Sequence, residues 1–173
     1  MEIIEQLWAH EQIRQLAYRY ALAIDSRDID SLVKLFVDDV RVGRDSFGHH
    51  ALAADFRVQL RSIGTSILHV TNHIIDINPE NPDAATGIVY CRGEVEQDGD
   101  WIVQAIQYRD TYARVASIWL FVRRVHLLWH GADMLTRPVG LPPADYRTGT
   151  WGKGELPEWF PTWRPFWAGT PGD

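Results

Sequence analysis

The chain has 173 residues, 46% of them apolar and 23% charged, and its 17 Lys and Arg against 23 Asp and Glu leave a formal net charge of −6. That length suits one domain, and a pI near 5.6 argues against free nucleic acid as a partner, because phosphate binding wants a basic face. The single cysteine, Cys91, excludes an internal disulfide and a four-cysteine zinc site.

Met1 to Trp8 carries Glu2 and Glu5 and lacks the basic start and apolar run of a secretory signal. No stretch approaches the roughly 20 uncharged apolar residues of a membrane helix, so a cytoplasmic protein with no membrane partner is expected. From Glu2 to Asp25, apolar residues recur at helical spacing (Ile3, Leu7, Ile13, Leu16, Ala17, Tyr20, Ala23, Ile24) with no Gly or Pro, which predicts a long helix. Asp25-Ser26-Arg27-Asp28 breaks the pattern, and Asp28 is placed to cap a second helix whose apolar side is Ile29, Leu32, Val33, Leu35 and Phe36. Val40-Arg41-Val42 alternates like a short strand. A third helix is expected from about His50 to Arg61, with Leu52, Phe56 and Leu60 on one side.

From Ser66 the period changes to two. Long strands are predicted at about Ile67–Asn78, Ala84–Gln97, Trp101–Val115 and Ser117–His130. Asn78 to Asp83 and Asp98-Gly99-Asp100 supply turn residues where antiparallel neighbours would join. Helices first and long strands after them predict an α+β fold, with helices on one face of an antiparallel sheet. The body is expected to span residues 1–136. The remainder, 137–173, holds seven of the nine prolines, six of the thirteen glycines and four of the eight tryptophans. Trp151, Trp159, Trp163 and Trp167 are expected to anchor that extension on the body or on a neighbouring subunit, since a solvated tail has no use for them.

The chain has no phosphate-binding glycine loop, no G-x-S-x-G and no H-E-x-x-H. His49-His50 and His69 with His73 raise the question of a metal. His69 and His73 are expected on the same face of a strand but about 13 Å apart at ~3.3 Å per residue, too far for one ion, so no metal is expected. Asp25 falls where the first helix ends, near a dipole end that favours cations; it is read either as a turn residue or as a functional carboxylate. His69 opens an apolar strand with Thr71 and Asn72 as polar neighbours. Arg123 interrupts the apolar face of Trp119, Phe121, Val125 and Leu127, while Arg124 falls on the other face with Leu120, Val122, His126 and Leu128. A buried guanidinium needs a carboxylate, a set of acceptors or a ligand anion.

The run Ile13 to Asp28, the segment Leu32 to Asp39, the strand opening Leu68-His69-Val70-Thr71-Asn72-His73, and Tyr108 to Tyr112 followed by Trp119 to Arg124 together resemble the SnoaL-like family of the nuclear transport factor 2-like superfamily. The likeness is nearest to its branch of scytalone dehydratase, bile-acid 7α-dehydratase and hexachlorocyclohexane dehydrochlorinase, and covers Ile3 to His130. It implies a cone-like α+β barrel, open at one end, around a hydrophobic pocket. It also implies a homo-oligomer, a trimer rather than a dimer, and catalysis by an Asp–His dyad without cofactor. Carried over residue by residue, the dyad is Asp25 and His69: the imidazole takes a proton and the carboxylate fixes its tautomer. Tyr20 would assist a leaving oxygen and Arg123 would hold developing negative charge. Tyr18, Asn72, Tyr108, Trp119, Phe121 and Leu127 are the pocket candidates, suited to a flat, apolar substrate.

The reading is therefore a cofactor-independent lyase, a dehydratase or related eliminating or retro-aldol enzyme, on a hydrophobic aromatic or polycyclic small molecule. A lignin-derived diaryl compound losing formaldehyde is included. Two alternatives remain: a non-catalytic small subunit of a ring-hydroxylating dioxygenase, and a steroid-type double-bond isomerase.

Overall fold

The structure is a computed structural model that describes residues 2–133, 141–155, 158–159 and 164. The long first helix, α1 (Ile3–Ser26), starts with a capping box between Glu2 and Glu5. It stops at Arg27, whose backbone is left-handed at φ 62° and whose N–H turns back to the carbonyls of Ala23 and Ile24. A left-handed non-glycine residue is strained by about 1 kcal/mol. Here the guanidinium offsets that strain by donating to Ile24 O at 2.6 Å, to Ser66 Oγ at 2.7 Å and to Gly64 O. Helix α2 (Ile29–Val33) is capped by Asp28, whose carboxylate accepts from Ser31 N at 3.0 Å. It is shorter than its apolar pattern. Residues 35–37 instead pair with a strand edge, Phe121 N donating to Leu35 O and Val37 N to Phe121 O.

A two-residue hairpin, β1 (Arg41–Val42) with β2 (Ser46–Phe47), leads into α3 (Gly48–Arg61). Four antiparallel strands follow in the order β3-β4-β5-β6: β3 (Ser66–Ile77), β4 (Ala84–Gln97), β5 (Asp100–Val115) and β6 (Ile118–Asp133). The sheet is open, not closed into a barrel, and the helices pack on one of its faces. Asp98-Gly99 makes the β4–β5 turn with both residues at positive φ, as a right-twisted hairpin requires. The β5–β6 turn does the same with Ala116 and Ser117, residues that advertise no turn.

Ile13, Leu16, Leu32, Phe36, Phe56, Tyr112, Trp119 and Phe121 form the main core between helices and sheet. Phe121 is wholly buried, which contributes about 1.5–3 kcal/mol for a side chain of its kind. The first two turns of α1 depart from the predicted pattern: Ile3 and Leu7 are 72% and 64% exposed.

Three irregularities in the sheet decide which side chains point inward. β3 shifts register between Val70 and His73, and β6 carries an extra residue at Val122 and another at Trp129. Each flips the face of everything beyond it. The free edge of β6 is covered twice, at Phe121 by residues 35–37 and further along by the extension. There Gly131 N donates to Gly152 O, Gly154 N donates to Trp129 O, and Leu128 N donates to a Glu155 carboxylate oxygen at 3.1 Å. Gly152 and Gly154 leave no room for a Cβ against Pro142 O and Leu128 O, so the approach demands glycine. Trp151 donates its indole N–H to Gln97 Oε1 at 3.0 Å, and Arg109 stands over the Trp159 ring at 5.7 Å. Trp163 and Trp167 lie outside the described residues. No helix among the described residues is long and apolar enough to cross a membrane.

Candidate active site

A cavity of about 1330 Å³ lies between the helices and the inner face of the sheet. Four of its polar groups come from α1, β5 and β6. Tyr20 projects from α1, Tyr108 from β5, and Arg124 and His126 from β6. Around them the wall is apolar, including Ile24, Phe56, Leu68 and Ile106, and the extension contributes Trp151.

Arg124 owes its position to the bulge at Val122. With strict alternation Phe121 and Arg123 would share the inner face. The extra residue instead pairs Tyr112 with Phe121 and Asp110 with Arg124, all four inward, and leaves Arg123 paired with the exposed Thr111. Arg123 is therefore exposed and only borders the cavity, whereas the Arg124 side chain is 4% exposed. Its guanidinium forks onto Asp110 through Nε at 2.9 Å and Nη2 at 2.7 Å. It also lies 4.3 to 4.5 Å from the ring centres of Tyr108, Tyr20 and Phe121. Burial alone would press its pKa down. The charge and hydrogen bonds of Asp110 more than reverse this, so the guanidinium stays charged.

Asp110 also accepts from the Tyr112 hydroxyl at 2.8 Å, and that hydroxyl lies 3.0 Å from His73 Nε2. Since Tyr112 gives its proton to Asp110, its oxygen accepts here, and Nε2 of His73 carries the hydrogen. Nδ1 of His73 is buried with no partner among the described residues. Burial lowers the His73 pKa to about 4, with Asp110 opposing and Arg124, Arg14 and His10 reinforcing the fall. A neutral His73 with its proton on Nε2 satisfies both findings. Burial first, then the Asp110 charge, raises the pKa of Tyr112, so it remains a phenol.

The expected dyad is not assembled. Asp25 accepts from Ser66 Oγ at 3.2 Å and from Leu68 N at 3.0 Å, so its carboxylate staples the end of α1 to the start of β3. His69 follows Leu68 on the strand and points to the opposite face; half-exposed, it has Nε2 3.8 Å from Glu94 Oε1. His69 and His73 do not share a face either, because the β3 register shift lies between them. Of the expected pocket residues, Tyr108 lines the cavity. Trp119 and Phe121 belong to the core beneath it, and Tyr18 is 43% exposed on the outer side of α1. Asn72 is exposed at the β3 bulge, and Leu127 is buried on the other face of the sheet beside its pair, Gln107.

His126 is the cavity's imidazole. Its ring meets Tyr108 edge-on at 5.5 Å. Burial lowers its pKa to about 4, opposed by the carboxylate of Glu155 and reinforced by Arg124. His126, Arg124 and Asp110 escaped the sequence reading although a signal existed. Arg124 and His126 are two residues apart, and Asp110 and Tyr112 likewise, so each pair shares a face.

Helices cupped over an open antiparallel sheet, with a largely apolar cavity between them, define the cone-shaped α+β class of the nuclear transport factor 2-like superfamily. Residues 5–125 match the model of the SnoaL-like domain, and the chain belongs to the SnoaL-like family. No curated protein matches it at a significant level. Among solved structures it is similar to a putative scytalone dehydratase of Novosphingobium aromaticivorans (20% identity over 80% of this chain and 98% of that one, TM-score 0.66). It is likewise similar to a hexachlorocyclohexane dehydrochlorinase of Novosphingobium barchaimii (18% identity, 79% and 97% covered, TM-score 0.67). A third is an NTF2-like protein of cystatin-like fold from Novosphingobium aromaticivorans (24% identity, 71% and 83% covered, TM-score 0.58). At these identities the likeness is one of fold.

Proposed function

We propose that the protein is a lyase of the eliminating type, acting on a largely apolar aromatic or polycyclic small molecule. The observation that supports this reading best is the convergence of Tyr20, Tyr108, Arg124 and His126 on one mostly apolar cavity. His126 is neutral at pH 7 and can accept a proton from a substrate carbon. The C–H electron pair then becomes the new C=C bond, and the leaving group departs with its own bonding pair. A leaving hydroxyl can collect the proton from His126 and depart as water, which returns the enzyme to its starting state. In this reading Tyr20, which lines the cavity, assists the leaving oxygen. The N–H groups of Arg124 not given to Asp110 can hold negative charge on a conjugated carbonyl. The membership in the SnoaL-like family, and a fold shared with a dehydratase and a dehydrochlorinase, point the same way.

The test is a screen of hydroxylated aromatic and polycyclic compounds, comparing the wild type with His126→Ala and reading product masses. Loss of one water, or of one formaldehyde, identifies the bond broken. A general base contributes about 10²–10⁴ in rate, so His126→Ala should lose that much. Equal turnover by the two proteins would remove His126 from the reaction.

A further inference from the structure

The carboxylate expected beside the base at Asp25 is elsewhere, but the extension brings another. The last residue of the docked segment 141–155 is Glu155, and its Oε2 accepts from Leu128 N on the free edge of β6. Leu128 lies two residues after His126, on the same strand and facing the same side of the sheet. Strand geometry spaces those positions by about 7 Å. The docking that carries Glu155 there is specific, because the Gly131–Gly152 and Gly154–Trp129 hydrogen bonds set its register and two glycines permit the approach.

We propose that Glu155 is the positioning residue for His126. Anchored on the Leu128 N–H, its carboxylate keeps a negative charge beside the imidazole and stabilises the proton that His126 takes up. This assignment rests on His126 being the base of the proposed lyase. It answers a difficulty of that site, since a cavity that keeps His126 neutral also resists charging it. Glu155 opposes that resistance, while Arg124 of β6 adds to it. Tyr108 of β5 meets the ring edge-on. The remaining charged groups around the cavity, Arg41, Arg123, Arg147, Asp39 and Asp55, are exposed, as Glu155 is, but among the described residues none of their side chains is hydrogen-bonded to the β6 backbone.

The test needs no substrate. His126 is followed by NMR in protein labelled at the histidine rings, titrated from neutral pH into the acid range, in the wild type and in Glu155→Gln. The amide keeps an oxygen for the Leu128 N–H and removes only the charge. The anchoring N–H is two strand positions from His126, about 7 Å, and a unit charge at that range shifts a titration by roughly half a pH unit at the dielectric of water. The His126 midpoint should therefore fall by about threefold in proton affinity, with His73 unmoved. An unchanged midpoint with the tail docked, as read from the indole N–H resonance of Trp151, overturns the assignment.

Should Glu155→Gln release the tail, His126→Phe decides from the other side. Coupling is reciprocal, so the Glu155 carboxyl, followed by carbon NMR, should then titrate at higher pH than in the wild type. No change there is equally fatal. These outcomes are separate from the substrate screen: loss of the coupling leaves the lyase reading standing, and a failed screen leaves the coupling in place.

Discussion

Replacing Asp110 by Asn tests whether the Arg124–Asp110 pair is the buried strut that holds the site. The two side chains are 4% and 0% exposed, and the carboxylate takes two bonds from Arg124 and one from Tyr112. Asn removes the countercharge and turns one oxygen into an N–H group facing other donors. Breaking such a pair from one side leaves a charge stranded in the interior, which costs about 3–5 kcal/mol. That is a large part of the ~5–15 kcal/mol that holds an ordinary domain together. At roughly 2–4 °C per kcal/mol for a chain of this size, the melting temperature should fall by about 6–20 °C. Urea titration monitored by tryptophan emission measures the loss directly. The control is the pair replaced by matched apolar side chains, Asp110→Leu with Arg124→Met, which strands no charge and should recover most of the stability. A loss under about 1 kcal/mol in Asp110→Asn, or a double variant as unstable as the sum of its single changes, would refute the reasoning.

Asp25→Asn should weaken the hydrogen bonds to Ser66 and Leu68 and cost about 1–2 kcal/mol by urea titration, whereas His69→Ala, on the outer face, should leave stability and turnover unchanged. Any shared loss of turnover in those two would restore them as a dyad. His73 and His126 are held neutral in the fold with pKa values near 4, below the ordinary histidine value of 6.5. The unfolded chain therefore binds protons first as the pH drops, so stability is full above about pH 6.5 and declines toward pH 4. Urea midpoints across that window should slope less in His73→Gln, and equal slopes would show that His73 is charged in the fold. Gly131→Ala sets a methyl against the Trp151 ring, where a Cβ would sit 2.7 Å from the nearest ring carbon. Displacement of 141–155, read as faster proteolysis and red-shifted tryptophan emission, is the expected result; a chain as resistant as the wild type would show that the ring can give way.

The long elements were legible because their signals are local. Helical spacing marked α1, Asp28 announced the start of α2, and Asp98-Gly99 marked the β4–β5 turn. The site was legible only in part. Tyr20 and Tyr108 line the cavity as their positions suggested, and Asp25 stands at a junction of helix and strand as its place in the chain implied. A strict period of two puts Arg123 inward and His69 on one face with His73, and one extra residue in each strand reverses both, which the family resemblance that names Arg123 and His69 does not register. Composition marked Trp151 as an anchor of the extension, but its partners Gln97 and Gly131, and the place of Glu155 on β6, join residues far apart in the chain and have no local signal.

By itself, the order and spacing of residues determined the α+β class, the strand lengths, the acidic surface and the aromatic weight of the extension. These follow from propensities and periodicities that act within a few residues. Only the tertiary structure decided which faces turn inward, which carboxylate meets which cation, and where the extension docks. A bulge forms where neighbouring strands and side chains fit best with an extra residue. That balance is struck across the sheet and not along the chain, so Arg124 rather than Arg123 is the buried cation of the cavity.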